Sequence, residues 1–238
     1  MAQIITVKND LKEYKNKYRK KYILLISLLA IVFFSSPIIG PINIIPFLIL
    51  GLMFRSVAKK YQIYKSGYEG ETKVKKILEN LPEDYTVITD TTIKLGDQQS
   101  QIDNIIVGPN GVFVLEVKNF KGFIEVLEDK MWKQKKKSGL TYKNEFYSPV
   151  KQVKTHVYRL SQFLKSMGYS TWINCAVLFS HPEVKVSRNE LDNVPIFSGK
   201  EGHVELFDFI ENKEAVFSDK DCQRITSFIL DHQKTNFM

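Results

Sequence analysis

QIDNIIVGPNGVFVLEVK, residues 101–118, decides the fold of this chain. Ile102 to Val107 and Val112 to Lys118 are β-branched and apolar runs, separated by Gly108-Pro109-Asn110-Gly111, the composition of two strands joined by a tight turn. Pairing Val107 with Val112 places Asp103 across from Glu116 and Gln101 across from Lys118. Side chains alternate along a strand, so Glu116 and Lys118 share a face. Opposed like charges repel, and a sheet tolerates them when a cation sits between. Oxygen ligands favour a hard divalent ion, Mg²⁺ or Mn²⁺; magnesium keeps several waters and bridges to a substrate phosphate. The competing reading is a solvated ion cluster at a sheet edge. Against it, both runs are nearly continuous in hydrophobic residues, as in strands covered on both sides.

Working outward, Val74, Ile77, Leu78 and Leu81 recur at helical spacing, which predicts a helix over 67–81 stopped by Pro82. A strand follows within 85–95, then the two strands of the hairpin. Residues 123–147 read as a meander carrying Trp132 and the run Lys133-Gln134-Lys135-Lys136-Lys137. Pro149 opens a second helix to about Met167, with Val150, Val153, Val157, Leu160 and Leu164 as its apolar stripe. A buried strand is expected over 172–179, another over 194–198, and a last helix over 219–232. Gln152 and His156 lie four apart on the second helix, off the stripe, where contact with phosphate competes with an ordinary surface pair. Cys175 and Cys222 have neither metal-ligand spacing nor a disulfide context. No phosphate-binding glycine loop or nucleophile elbow is present.

The formal charge of +8 is unevenly spread. Residues 1–65 hold 11 Lys/Arg against 2 Asp/Glu, whereas the rest of the chain holds 23 against 24. The basic excess therefore belongs to the N-terminal segment and is not a nucleic-acid footprint of the whole chain. Residues 118–154 do carry 10 Lys and 4 acids, a local basic patch beside the hairpin. Tyr22 to Phe54 contains no charged residue and is flanked by Lys and Arg on both sides. A single helix of that length overshoots a bilayer core of ~30 Å, and Ser35-Ser36-Pro37 and Gly40-Pro41 disfavour continuity. Two short membrane helices within 22–54 are expected, after a basic tail (1–21) and before a basic linker (55–66). Basic residues on both flanks put both ends in the cytoplasm. Passes this short dip into a bilayer as readily as they span it, and a signal peptide competes for the same pattern.

Gly70-Glu71, Gln101-Ile102-Asp103 and Glu116-Val117-Lys118-Asn119, followed by Gly122, Trp132 and Ser148-Pro149-x-x-Gln152, resemble the NERD (nuclease-related) domain, itself similar to the PD-(D/E)XK nuclease superfamily. The resemblance spans about residues 67–200, with Ser148 where Asn is expected. It implies a restriction-endonuclease-like α/β fold, a central mixed sheet flanked by helices, here filling 67–238 behind a transmembrane helical hairpin. It also implies a metal-dependent nuclease hydrolysing phosphodiester bonds. Asp103, Glu116 and the Val117 carbonyl would hold the metal; Lys118 would orient or deprotonate the attacking water; Glu71 would assist. Gln101, Gln152, Asn119 and Lys121 would contact the substrate. The expected partners are nucleic acid, in particular DNA, and a membrane, with the nuclease-like domain in the cytoplasm. The alternative is a non-catalytic, membrane-tethered nucleic-acid-binding or scaffold module on the same fold. A membrane sensor built on the Pro-rich hairpin is a third reading.

Overall fold

The computed structural model describes residues 1–39, 44–135 and 143–235, without the side chains of 36–39, 143 and 233–235. The chain forms two units, one of Met1–Lys8 with Gly70–Met238 and one of Asn9–Glu69. In chain order the elements are β1 (Gln3–Thr6), α1 (Asp10–Ile39), α2 (Ile44–Leu78), β2 (Thr86–Leu95), β3 (Gln98–Gly108), β4 (Gly111–Lys118), β5 (Gly122–Glu125), β6 (Met131–Lys135), β7 (Lys143–Tyr147), α3 (Pro149–Ser166), β8 (Ile173–Phe179), β9 (Val184–Val186), β10 (Glu190–Leu191), β11 (Val194–Ser198), α4 (Gly202–Glu211) and α5 (Asp219–Thr235).

A seven-stranded mixed sheet, ordered β1-β2-β3-β4-β8-β11-β10, forms the centre of the larger unit. β3 and β4 pair in the register expected of the hairpin, from Gly108 with Gly111 to Asn104 with Leu115. The turn is pinned from two sides. The Tyr85 hydroxyl donates to Asn110 Oδ1 at 2.7 Å, and Asn110 Nδ2 donates to the Glu211 and Lys213 carbonyls. A Cβ at Gly108 would lie 2.2 Å from the Tyr85 ring, so only glycine fits there. β4 is buried from Gly111 to Val117, as a strand covered on both faces must be. On one face Val112, Val114, Ile105 and Val177 pack with Val150, Val153, Leu160 and Leu164 of α3 and with Ile225 and Ile229 of α5. On the other, Phe113, Leu115, Val117 and Leu178 pack with Val74 and Leu78 of α2 and Leu206 and Ile210 of α4. α3 buries the expected stripe with one exchange: Val157 is only half-buried, while His156 and Phe163 are buried.

The 123–147 meander belongs to a second, four-stranded sheet, β7-β6-β5-β9. Trp132 is fully buried there and its indole N–H donates to the Leu127 carbonyl at 2.9 Å. Lys136 and Lys137 of the basic run lie outside the described residues.

The N-terminal segment differs from expectation in three ways. Residues 3–6, expected within a basic tail, form β1 and pair in parallel with β2, Gln3 opposite Thr86. The expected linker and the expected helix over 67–81 are one element, because nothing between Phe54 and Gly67 breaks a helix and α2 runs on from Ile44 to Leu78. Pro46 falls in its first turn, where the missing N–H costs nothing. α1 likewise continues through Ser35-Ser36-Pro37 to Ile39. Within the Asn9–Glu69 unit, Tyr14, Tyr18 and Tyr22 pack on Tyr64, Tyr61 and Phe54 with ring centroids 5.1 to 5.4 Å apart. Among the described residues no helix is long and apolar enough to cross a membrane. The uncharged run is divided between two helices, Tyr22–Ile39 on one and Ile44–Phe54 on the other, each short of the ~20 apolar residues a span requires.

Candidate active site

Strand pairing between β3 and β4 stops where the charged residues begin. Beyond Asn104 and Leu115 the Asp103 side chain replaces the backbone partner, its Oδ2 accepting the Val117 N–H at 2.9 Å. β4 stays paired with β8 as far as Lys118 opposite Phe179. Glu116 is thereby held at 0% exposure on the face that α3 covers. α3 starts at Pro149 with Ser148 as its cap, the Ser148 Oγ accepting the Lys151 N–H. The cap sets the helix so that Gln152 and His156, one turn apart, face β4.

Lys118 Nζ donates to Glu116 Oε1 at 2.6 Å and to Gln152 Oε1 at 3.2 Å. Glu116 Oε2 has no hydrogen-bond partner and lies 3.4 Å from His156 Nε2, within ion-pair range but outside hydrogen-bond geometry; neither ring nitrogen of His156 has a hydrogen-bond partner. Each buried polar atom left this way costs about 1–3 kcal/mol. Glu116 Oε2 and the His156 ring nitrogens are thus open to a further polar or cationic group. Burial, and next the Glu116 carboxylate, push the Asp103 carboxyl well above the ordinary carboxylate range; Lys118 and the Val117 N–H oppose this, and Glu71 adds to it. Burial works against the charge on Lys118, but Glu116 and Asp103 outweigh it and raise its proton affinity. Lys118 is therefore an ammonium, suited to holding a water or an anionic oxygen and not to taking a proton.

Residues 66–180 match the family of the nuclease-related domain, NERD. This region is a NERD domain. The description of that family is a nuclease-related domain. An uncharacterized protein of Bacillus anthracis is 32% identical over 140 residues, which cover 56% of this chain and 61% of that protein. The chain thus spans less than two thirds of that relative. A crystal structure of a Vibrio cholerae protein aligns with 10% identity over 87% of this chain and 57% of its own, at a TM-score of 0.34.

Within the NERD domain the expected site residues separate into two groups. Asp103, Glu116, Lys118 and Gln152 converge directly. Glu71 is close enough to act on Asp103, and it sits deep inside α2, not in a first turn, so the helix dipole does not account for it. Gly70 brings α2 against the end of β4: a Cβ there would lie 2.5 Å from Asn119 Cβ. Asn119 accepts from Ser180 Oγ at 3.4 Å. The others lie apart. Gln101 pairs with Thr92 of β2, not with Lys118, and donates from Nε2 to Asp90 Oδ1 at 2.6 Å. Lys121 is exposed and ion-paired with Glu183 at 2.8 Å. Val117, expected to offer its carbonyl to a metal, is the exception: it stands between Glu116 and Lys118 with its N–H on Asp103, opposite Leu178 in the β4–β8 ladder.

His156, for which the sequence leaves contact with phosphate open beside an ordinary surface pair, is 7% exposed against Glu116. One residue is not found by sequence reasoning. Asp90 sits in the middle of β2 at φ 56°, a left-handed backbone uncommon outside glycine. An Asp inside a strand is the available signal. As a metal site, Glu116 Oε2 and the raised Asp103 carboxyl are oxygen donors whose mutual repulsion a cation would relieve. Among the described residues no group of three His, Cys, Asp or Glu is placed to hold a metal. That is compatible with magnesium, which is commonly bound through one or two carboxylates with waters and substrate phosphate completing its shell.

Proposed function

We propose that this chain is a membrane-associated, metal-dependent nuclease hydrolysing phosphodiester bonds, with DNA as the substrate and Mg²⁺ or Mn²⁺ held by Asp103 and Glu116. The observation that carries the reading is the buried Asp103–Glu116–Lys118 cluster, in which one Glu116 oxygen is left without a hydrogen-bond partner. The order of α2, β2, β3, β4, α3 and β8 supports a restriction-endonuclease-like core. The ion would polarise the phosphate and lower the pKa of a bound water. The Val117 N–H fixes Asp103, and Gln152 steers the Lys118 ammonium, which stabilises charge on the phosphoryl oxygens and orients the attacking water. Glu71 adds negative charge beside Asp103 and so favours a cation there.

Membrane association is supported by the hairpin surface. Ile31, Phe34, Ile45 and Leu52 are 63%, 76%, 68% and 71% exposed, side by side with further apolar residues, an area that water does not favour. β1 precedes the hairpin and pairs with β2, which follows it. Both ends of the hairpin therefore return to one folded unit, and a hairpin that enters a bilayer must leave on the side it entered; the basic flanks make that side the cytoplasm.

The cleavage test uses the full chain in detergent micelles with single- and double-stranded DNA and RNA, with Mg²⁺, Mn²⁺ or EDTA. Metal-dependent cleavage of DNA is expected. Binding without cleavage under any metal would leave the non-catalytic module as the function. For topology, single cysteines replacing Lys12 and Lys65 should both resist an impermeant reagent applied outside cells. Labelling of either rejects the cytoplasmic hairpin.

A further inference from the structure

We propose that the cavity beyond the carboxyl ends of β4, β8 and β11 holds a second nucleotide of the nucleic-acid substrate, its phosphate gripped by Lys73, Lys200 and His203. The inference rests on the nuclease reading and adds a binding subsite to it.

The cavity encloses about 320 Å³, at the lower end of the ~300–1,000 Å³ typical of ligand pockets. That volume suits one nucleotide unit and no more. Its chemistry is divided. Ile77, Leu178 and Pro182 belong to a lining that is mostly apolar, and Lys73, Lys200 and His203 stand among the residues around it. A sugar or base fits the first and a phosphate the second, the combination by which proteins hold single strands. No carboxylate lines the cavity among the described residues.

Lys73 is not a loose surface cation. Its Nζ donates to the Ser180 carbonyl at 2.8 Å, which fixes the ammonium at the end of β8 and leaves further N–H groups to donate. Three adjacent parallel strands end here, the side of an α/β sheet at which ligands bind.

The cavity is next to the Asp103–Glu116 cluster yet separate from it. The Ser180 N–H donates to the Lys118 carbonyl at 3.0 Å, so cavity wall and cluster are joined by one hydrogen bond of the sheet edge. Leu178 belongs to the apolar face covered by α2 and α4, while Glu116 and Lys118 meet residues of α3. A strand crossing the carboxyl edge of the sheet would meet the cluster on one side and the cavity on the other.

The test uses the full chain carrying Asp103→Asn, so that bound DNA stays intact, with and without the pair Lys200→Gln and His203→Gln. Lys73 is left alone because it also props Ser180. Binding of a fluorescent single-stranded DNA is measured from 50 to 300 mM salt. The added pair should weaken binding about tenfold at 0.1 M salt and reduce the salt slope by about 0.7 for every phosphate no longer neutralised, with an unchanged melting temperature. The His203 ring resonances should shift with the oligonucleotide and with dAMP. An unchanged salt slope, or ring resonances that move with inorganic phosphate but not with DNA, overturns the nucleotide subsite. Equal binding of poly-glutamate, lost through the same two substitutions, overturns it in favour of an acidic protein partner. The two readings fail separately. If the parent chain cleaves DNA while the pair changes nothing, the cavity inference falls and the nuclease stands; if the pair weakens DNA binding but the parent cleaves nothing, the subsite stands and hydrolysis falls.

Discussion

The two faces of β4 are equally buried and chemically unlike. Phe113, Leu115 and Val117 look into a core closed by Val74, Leu78, Leu206 and Ile210, apolar throughout. Val112 and Val114 begin the opposite face in the same manner, and then Glu116 and Lys118 take the next two positions. Burial therefore does not separate a structural face from a reactive one. The helix above it does: behind its Ser148 cap, α3 interleaves Gln152 and His156 with the buried Val150 and Val153, and brings those two polar side chains to the charged end of β4. One face contributes stability, and the other gives some of it up to keep a charged cluster out of water.

The largest contrast is expected in cleavage. Asp103→Asn and Glu116→Gln should each lower Mg²⁺-dependent cleavage at least a hundredfold, as loss of a transition-state electrostatic interaction does by roughly 10²–10³. Leu115→Ala, on the other face of the same strand, should leave the activity of the folded fraction near that of the parent. If Leu115→Ala costs as much activity as Glu116→Gln, the two faces are not functionally distinct.

Stability should show the reverse. Leu115 is 1% exposed, and truncating such a side chain costs ~2–5 kcal/mol. Asp103→Asn removes one of two adjacent carboxylates with little change of shape, so in EDTA it should melt no lower than the parent, while losing the stabilisation that Mg²⁺ gives the parent. Denaturant melts with and without Mg²⁺ measure both. A large destabilisation by Asp103→Asn without metal would assign the carboxylates to the structure alone.

The difference between the faces is partly legible in residues 101–118. The hairpin register, the double burial of β4 and the approach of Asp103 to Glu116 all follow from alternation and one turn. What is not legible depends on partners remote in sequence. Val117 pairing with Asp103, Gln101 turning to Asp90, and His156 sinking against Glu116 are set by which strand or helix lies beside each residue. β1 is four residues in a basic stretch, too short for a period to emerge from its surroundings. α4 is ten residues long with buried Leu206 and Ile210 one turn apart, less than the three turns a helical pattern needs to stand out.

A smaller effect tests whether the α3 cap positions the reactive face. Ser148→Ala should cost ~1 kcal/mol, the usual loss of a helix cap. Because Gln152 stands in the next turn and steers Lys118, the same variant should also lower kcat. A kcat that does not change separates the cap from the site.

The smallest expected effect is a change of slope with pH, and it distinguishes a strained carboxylate from a relaxed one. Asp103 in the folded chain holds its proton well above the ordinary carboxylate range, through burial first and Glu116 second. Between its unfolded and folded pKa values the native state therefore binds more protons than the unfolded state, and stability falls as pH rises through that window. Above the folded pKa the ionised Asp103 imposes its full cost; as pH falls through that value towards the ordinary range of about 4, the cost disappears. In EDTA the advantage of Asp103→Asn over the parent should accordingly be greatest near neutral pH and shrink on acidification. Saturating Mg²⁺ should flatten the difference, since a ligated carboxylate stays charged without penalty. Urea melts of both proteins at a series of pH values read it directly. A parent and variant whose stabilities run parallel from neutral pH to pH 4 would show that Asp103 ionises freely, and that the two faces of β4 differ in sequence without differing in electrostatic strain.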